Sequence, residues 1–160
     1  MTGPVPAGAP ARTIKLRRTF ACPPQEVFDA WTDADALATW FGGAVAKTLS
    51  AAVDLQVGGA YRLTMQRGPE VGAVEGVYLE IEPPERLVFT WRWDRPEIED
   101  RKESVVTVEF HDLDGATEVE ITHEGITTES SFAFHVGGWT TVLGRLEQYL
   151  PAGGGGRDYQ

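Results

Sequence analysis

Along residues 131–150, SFAFHVGGWTTVLGRLEQYL, the residues Phe132, Val136, Trp139, Leu143, Leu146 and Leu150 follow one another in alternating steps of four and three. That spacing gathers them on one stripe of an α-helix. Ser130 or Ser131 can cap its first turn, and Pro151 with the glycine run beyond it cannot continue it, so both ends are marked. A stripe of this length must cover an apolar surface, and the sequence upstream supplies one in a different period.

Ile14, Leu16 and Phe20 alternate with Lys15, Arg17 and Thr19, which predicts a strand whose inward parity also takes in Arg18. Pro23 and Pro24 end it and open a short helix with Val27, Phe28 and Trp31 on one face; Asp33 can cap a second helix bearing Leu37, Trp40 and Phe41. From Val53 onward the period is two. Val53, Leu55 and Val57 are expected to face Tyr61, Leu63 and Met65 across a three-residue loop, Gly58-Gly59-Ala60. Val77, Leu79 and Ile81 are expected to meet Leu87, Phe89, Trp91 and Trp93 across the corner EPPER, with Ile81 opposite Leu87. Carried back, that register sets Glu75 opposite Trp93. Val106, Val108 and Phe110 match Val119, Ile121 and His123 across Asp114-Gly115, the strongest hairpin signal in the chain. His123 then shares the apolar face and His111 does not. The sum is an antiparallel α+β domain of about seven strands, with two short helices after the first strand and a long C-terminal helix laid across the sheet.

Residues 1–12 and 151–160 offer little to bury and are expected to be flexible tails around a single domain at 13–150; the charged stretch 94–103 is expected to be a solvated loop. The long helix holds Gly137, Gly138 and Gly144. Gly137 and Gly144 share a flank, which would either let another backbone approach, from an N-terminal helix or a second copy in a homodimer, or leave the helix locally loose.

Composition narrows the function classes. At 160 residues and 42% hydrophobic content the chain can bury one real core. Twenty-four acidic against fourteen basic side chains leave a net charge of −10, which repels nucleic acid and anionic membrane surfaces. Cys22 is the only cysteine, so an intrachain disulfide is excluded. The N-terminus has no basic start or apolar run, and no stretch reaches the length of a membrane span, so a soluble cytoplasmic protein is expected.

The inward set Phe89, Trp91, Trp93, His123, His135 and Trp139 is what a ligand cavity needs, an aromatic lining with a few polar groups, and also what an ordinary core would use. Two histidines on facing elements can meet across a cavity. Metal binding would have to draw on His123, His135, Glu75 and Cys22, which show no ligand spacing, so no metal is expected; nor is any cofactor. No nucleophile elbow or cysteine-protease motif is present, and Gly58-Gly59 joins two strands instead of opening a helix, which excludes a phosphate loop. General acid–base chemistry would need only a histidine or carboxylate in an apolar pocket, for which His123, His135 and Glu75 are the candidates.

The pieces RTFACPPQEVFDAWTDADALATWF, VGGAYR, GVYLEIEPPERLVFTW, SVVTVEF, TEVEITHEG and HVGGWTTVLGRLEQYL, taken in order, resemble the SRPBCC superfamily with its START-like, birch-pollen-allergen-like helix-grip fold. Within it they resemble the branch of homologues of the activator of heat-shock-protein-90 ATPase. The resemblance implies a cavity between the concave sheet face and the long helix. It also implies one of three activities: holding an apolar small molecule, cyclase-like or dehydratase-like catalysis, or stimulation of a chaperone ATPase. A protein that binds an apolar or aromatic ligand through the six inward residues is the leading expectation; an enzyme using a cavity His or Glu, and a chaperone regulator, are the alternatives.

Overall fold

The computed structural model describes residues 12–42, 47–94 and 103–151. The elements follow the expected order: β1 (Arg12–Phe20), α1 (Pro24–Thr32), α2 (Ala34–Trp40), β2 (Lys47–Val53), β3 (Ala60–Arg67), β4 (Glu70–Glu82), β5 (Arg86–Trp93), β6 (Ser104–Asp112), β7 (Thr117–Ile126) and α3 (Glu129–Tyr149). The strands form one antiparallel sheet in the order β1-β7-β6-β5-β4-β3-β2. The two strands nearest in sequence after the N-terminus, β1 and β2, are therefore the two edges, and α1 with α2 carries the chain from one edge to the other. Helix α3 packs against β1 and α2 and closes the layer over the sheet. Among the described residues no helix is long and apolar enough to cross a membrane. The expectations for both tails beyond Arg12 and Pro151, and for most of the 94–103 loop, fall outside the described residues. Arg12 itself, expected in the tail, pairs with Ile126.

The local reasons match the sequence in most places. Ile14 and Phe20 are buried on β1 while Lys15, Arg17 and Thr19 are exposed. Arg18, on the inward parity, is half-buried and ion-pairs with Glu147 of α3. Asp33 accepts the Ala36 N–H at 2.9 Å and so caps α2, satisfying one of the donors a helix start leaves free. At the β6–β7 hairpin Asp114 and Gly115 have φ of 63° and 99°, the left-handed pair that a two-residue turn between twisted strands requires. Val106 faces His123, Val108 faces Ile121 and Phe110 faces Val119, as the pattern predicts.

Three expectations need correction. First, β2 ends at Val53, which pairs with Tyr61, so the β2–β3 connection is a six-residue loop and Leu55 and Val57 stand exposed in it. The loop is held by Asp54 N–H on Ala60 O at 3.0 Å and by Gly58 N–H on Tyr78 O at 2.8 Å. These bonds tie it back to the sheet and make the tight turn unnecessary. Second, Ile81 does face Leu87, but a register shift between Tyr78 and Glu80 turns the rest of β4 over by one residue. Tyr78 and Val74 point inward, Leu79 is exposed, and Glu75 faces Arg92 instead of Trp93. Third, α3 is capped by Thr128, whose Oγ1 accepts the Ser131 N–H at 3.0 Å, instead of by either serine. Its buried stripe is His135, Trp139, Val142, Leu143 and Leu146, so Phe132 and Val136 are only half-buried. Tyr149, in the last turn of α3, is exposed. A Cβ at Gly137 or Gly138 would meet nothing within 4 Å and one at Gly144 only the Arg18 guanidinium at 3.8 Å, so among the described residues no backbone of another element uses the glycine flank.

One close approach does demand glycine. Tyr61 of β3 reaches past β4 to donate its hydroxyl to Thr90 O on β5 at 2.6 Å, and Val77 N–H is taken by Thr90 Oγ1 at 2.9 Å. Gly76 lies between them, where a Cβ would sit 2.0 Å from the Thr90 carbonyl oxygen.

Candidate functional site

The site is built where β5, β7 and α3 converge. Alternation along β5 sends Phe89, Trp91 and Trp93 to the inner face, β7 adds His123, and one helical turn separates His135 from Trp139 on α3. The rings meet as expected. Trp91 lies 4.9 Å from Trp139, 5.7 Å from Trp93, 5.7 Å from His123 and 6.3 Å from His135, and the two imidazoles are 5.0 Å apart. Phe89 joins at the margin, 6.5 Å from Trp91, and packs more closely on Tyr61 at 5.4 Å.

Hydrogen bonding fixes the state of both histidines. Trp139 Nε1–H donates to His123 Nδ1 at 3.0 Å, so His123 carries its proton on Nε2 and donates it to Ser104 Oγ at 2.8 Å. Ser104 donates its own O–H to the Trp91 carbonyl at 3.2 Å. His135 Nδ1–H donates to the Ser131 carbonyl at 2.8 Å, and its Nε2 accepts from the indoles of Trp93 at 3.0 Å and Trp91 at 3.3 Å. Both rings are thus neutral acceptors for tryptophan N–H groups. Burial, and secondarily the neighbouring His135, pushes the His123 imidazole from its ordinary 6.5 down to about 3.

The cluster runs from the surface inward. Phe134, 42% exposed, lies 6.0 Å from the half-buried Trp93; from Trp93 the rings continue through Trp91 and Trp139 to Trp31 of α1, 6.2 Å from Trp139, with Phe41 beside them. Ser104, Ser131, Phe41 and Trp31 were not singled out from the sequence as part of this site. Ser104 could have been, since it precedes Val106, Val108 and Phe110 on the same parity.

Trp31 is the exception in the hydrogen bonding. It is 3% exposed, and its Nε1 is the only buried side-chain nitrogen or oxygen among the described residues without a partner.

The remaining candidates do not converge. Glu75 lies on the outer face, paired with Arg62 and, at 3.0 Å, with Arg92. Cys22 is buried elsewhere, its thiol donating to Pro151 O at 3.3 Å. On the outer face Glu109, His111 and Glu120 bring one ligand atom each within 4.8 Å of one another, a trio that sequence reasoning passed over although outward parity puts all three there. Arg86, Arg17 and Lys15 already compensate its carboxylates, at 2.6, 3.3 and 3.7 Å. Desolvation would raise the Glu120 carboxyl, but the His111 hydrogen bond with Arg17 and Lys15 outweighs it and holds it below its ordinary value. A groove of about 580 Å³ between α1, the β2–β3 loop and the end of α3 is walled by Glu26, Asp29, Asp33, Leu55 and Tyr149, and it shares no residue with the ring cluster.

Comparison with known proteins agrees with this architecture. The model of the family described as activator of Hsp90 ATPase homolog 1-like protein matches residues 21–151. Protein CV1439 from Chromobacterium violaceum is 30% identical over 85% of this chain and 94% of its own, with a TM-score of 0.75. The AHSA1 (SPO3351) protein from Silicibacter pomeroyi is 25% identical over 86% of this chain and 96% of its own, with a TM-score of 0.74. CalU16 from Micromonospora echinospora is 26% identical over 87% and 76%, with a TM-score of 0.65. No match was found among curated proteins.

Proposed function

The chain belongs to the activator of Hsp90 ATPase homolog 1-like family of the SRPBCC superfamily, a ligand-binding type of domain, and from that premise we propose that it holds a neutral apolar or aromatic small molecule between the sheet and α3. The observation that carries this reading is the ring column from Phe134 through Trp93, Trp91 and Trp139 to Trp31. Aromatic walls with a few fixed polar groups are the usual lining of small-molecule sites. Such rings can stack on, or meet edge-to-face with, an aromatic guest as they do with each other. The outer end, Trp93 and Phe134, is where a guest would enter.

Proton chemistry is the weaker reading. Both ring nitrogens of His123 and of His135 are engaged by neighbours, and Glu75 faces away from the cluster among arginines.

The test is titration with N-phenyl-1-naphthylamine, a neutral aromatic probe whose emission rises in apolar surroundings. Saturable one-to-one binding, with tryptophan emission falling as probe emission rises, is expected. Probe emission that never saturates up to the solubility limit would overturn the proposal.

A further inference from the structure

Five tryptophans give the chain five indole N–H donors, and four are accounted for. Trp40 donates to Ala30 O at 2.9 Å, Trp139 to His123, and Trp91 and Trp93 to His135. Trp31 Nε1 has no acceptor among the described residues. The Trp31 ring packs among other rings, with centroids 5.1 Å from Trp40, 6.2 Å from Trp139, 6.4 Å from Phe41 and 6.5 Å from Phe110. These offer only π faces, and an N–H against a ring face is a second-order contact. Nine in ten or more buried polar groups find a hydrogen-bond partner, because leaving one desolvated and unpaired costs more than the bond itself returns.

The position of this donor gives it meaning. Trp31 ends the ring column at its inner side, 6.2 Å from Trp139, so a guest lying along Trp91 and Trp139 would bring its leading edge against the Trp31 ring. We infer that Trp31 Nε1–H is the polar anchor of the ligand site, and that the guest is a neutral, flat, mostly apolar molecule carrying a carbonyl-type oxygen at its leading end. This rests on the ligand-binding role proposed above and narrows it to a chemical class. A charged acceptor does not suit the place, since the rings there offer no counter-ion and a buried charge without one is far costlier than a buried carbonyl. A hydrocarbon guest would leave the indole as unpaired as before.

Two nearly isosteric probes separate the possibilities: 2-acetylnaphthalene, which has the oxygen, and 2-isopropenylnaphthalene, in which a methylene replaces it. Calorimetric titration of the wild type should give about fivefold tighter binding of the ketone, the worth of one net hydrogen bond. In Trp31→Phe, which keeps an aromatic ring and loses the N–H, the two should bind equally. The ¹⁵N–¹H correlation of Trp31, identified by its loss in that variant, should move downfield on adding the ketone and stay in place with the alkene. Equal binding of both probes by the wild type, a preference that survives in Trp31→Phe, or a Trp31 signal indifferent to the ketone would each overturn the inference and leave the ligand-binding role standing. Failure of both probes to bind the wild type would overturn that role and the inference with it. Because the wild-type comparison needs no variant, the inference stays testable if Trp31→Phe misfolds.

Discussion

A histidine that accepts a hydrogen bond from a buried indole must stay neutral, and His123 carries that requirement into the pH profile of stability. Its folded-state pKa of about 3 lies below the ordinary 6.5 of the unfolded chain. The neutral form is the folded one, so its stabilisation is complete above pH 6.5 and is lost as pH falls towards 3, by about 1.4 kcal/mol per unit across that window. Urea melts at intervals between pH 7 and 4 should show this slope in the wild type and a shallower one in His123→Gln, whose amide can still accept from Trp139 and donate to Ser104. Identical slopes would mean that His123 titrates freely. At the same scale, truncating Trp139 to Ala should cost about 3–5 kcal/mol, since the side chain is 2% exposed and packs against Trp91, Phe41 and Trp31. A loss near zero in paired melts would contradict its place in the cluster. The faces of these residues were legible from period alone, and the structure brings all six into contact. Their bonding was not: parity tells which side a residue faces, while the acceptor of an indole proton depends on how deep each ring lies and on the tilt of α3 over β5.

Elements were readable wherever one face is mainly apolar. β1, β6 and β7 follow the pattern because a one-residue slip would turn their apolar sets to the other face, and the two short helices follow their own helical spacing. The failures lie where local backbone chemistry overrides alternation. On β4 the shift between Tyr78 and Glu80 exchanges inward and outward sets, and Glu75, which strict parity would place at the cavity, goes to the outer face. In the β2–β3 loop, Gly58 and Gly59 read as a tight turn; the segment instead bonds sideways to Tyr78 on the next strand, a long-range contact without a local signature. Two substitutions test these elements. Gly76→Ala should destabilise by about 1–3 kcal/mol, because its Cβ must displace the Thr90 carbonyl and with it the Tyr61 hydrogen bond; an unchanged denaturation midpoint would mean that β4 and β5 are not so close. Thr128→Ala should cost about 1 kcal/mol by freeing the Ser131 N–H at the start of α3, whereas Ser130→Ala should be near neutral, and the reverse order would restore the serine as the cap.

For the molecule as a whole, the sheet order explains how one helix can close the site. Setting β1 and β2 at opposite edges makes α1 and α2 span the end of the sheet, and α3 then anchors at both: Arg145 donates to Trp40 O at 3.1 Å on α2, and Glu147 pairs with Arg18 on β1. The rings of α1, α2, β5, β7 and α3 are thereby held in one layer. That a guest sits in this layer is tested most directly by intermolecular nuclear Overhauser effects from bound N-phenyl-1-naphthylamine, read against the assigned indole and phenyl protons. Contacts to Trp91, Trp139 and Phe41 are the predicted result. Contacts confined to Leu55 and Tyr149 in the acidic groove, or to the exposed Val57, Leu79 and Leu113, would contradict it.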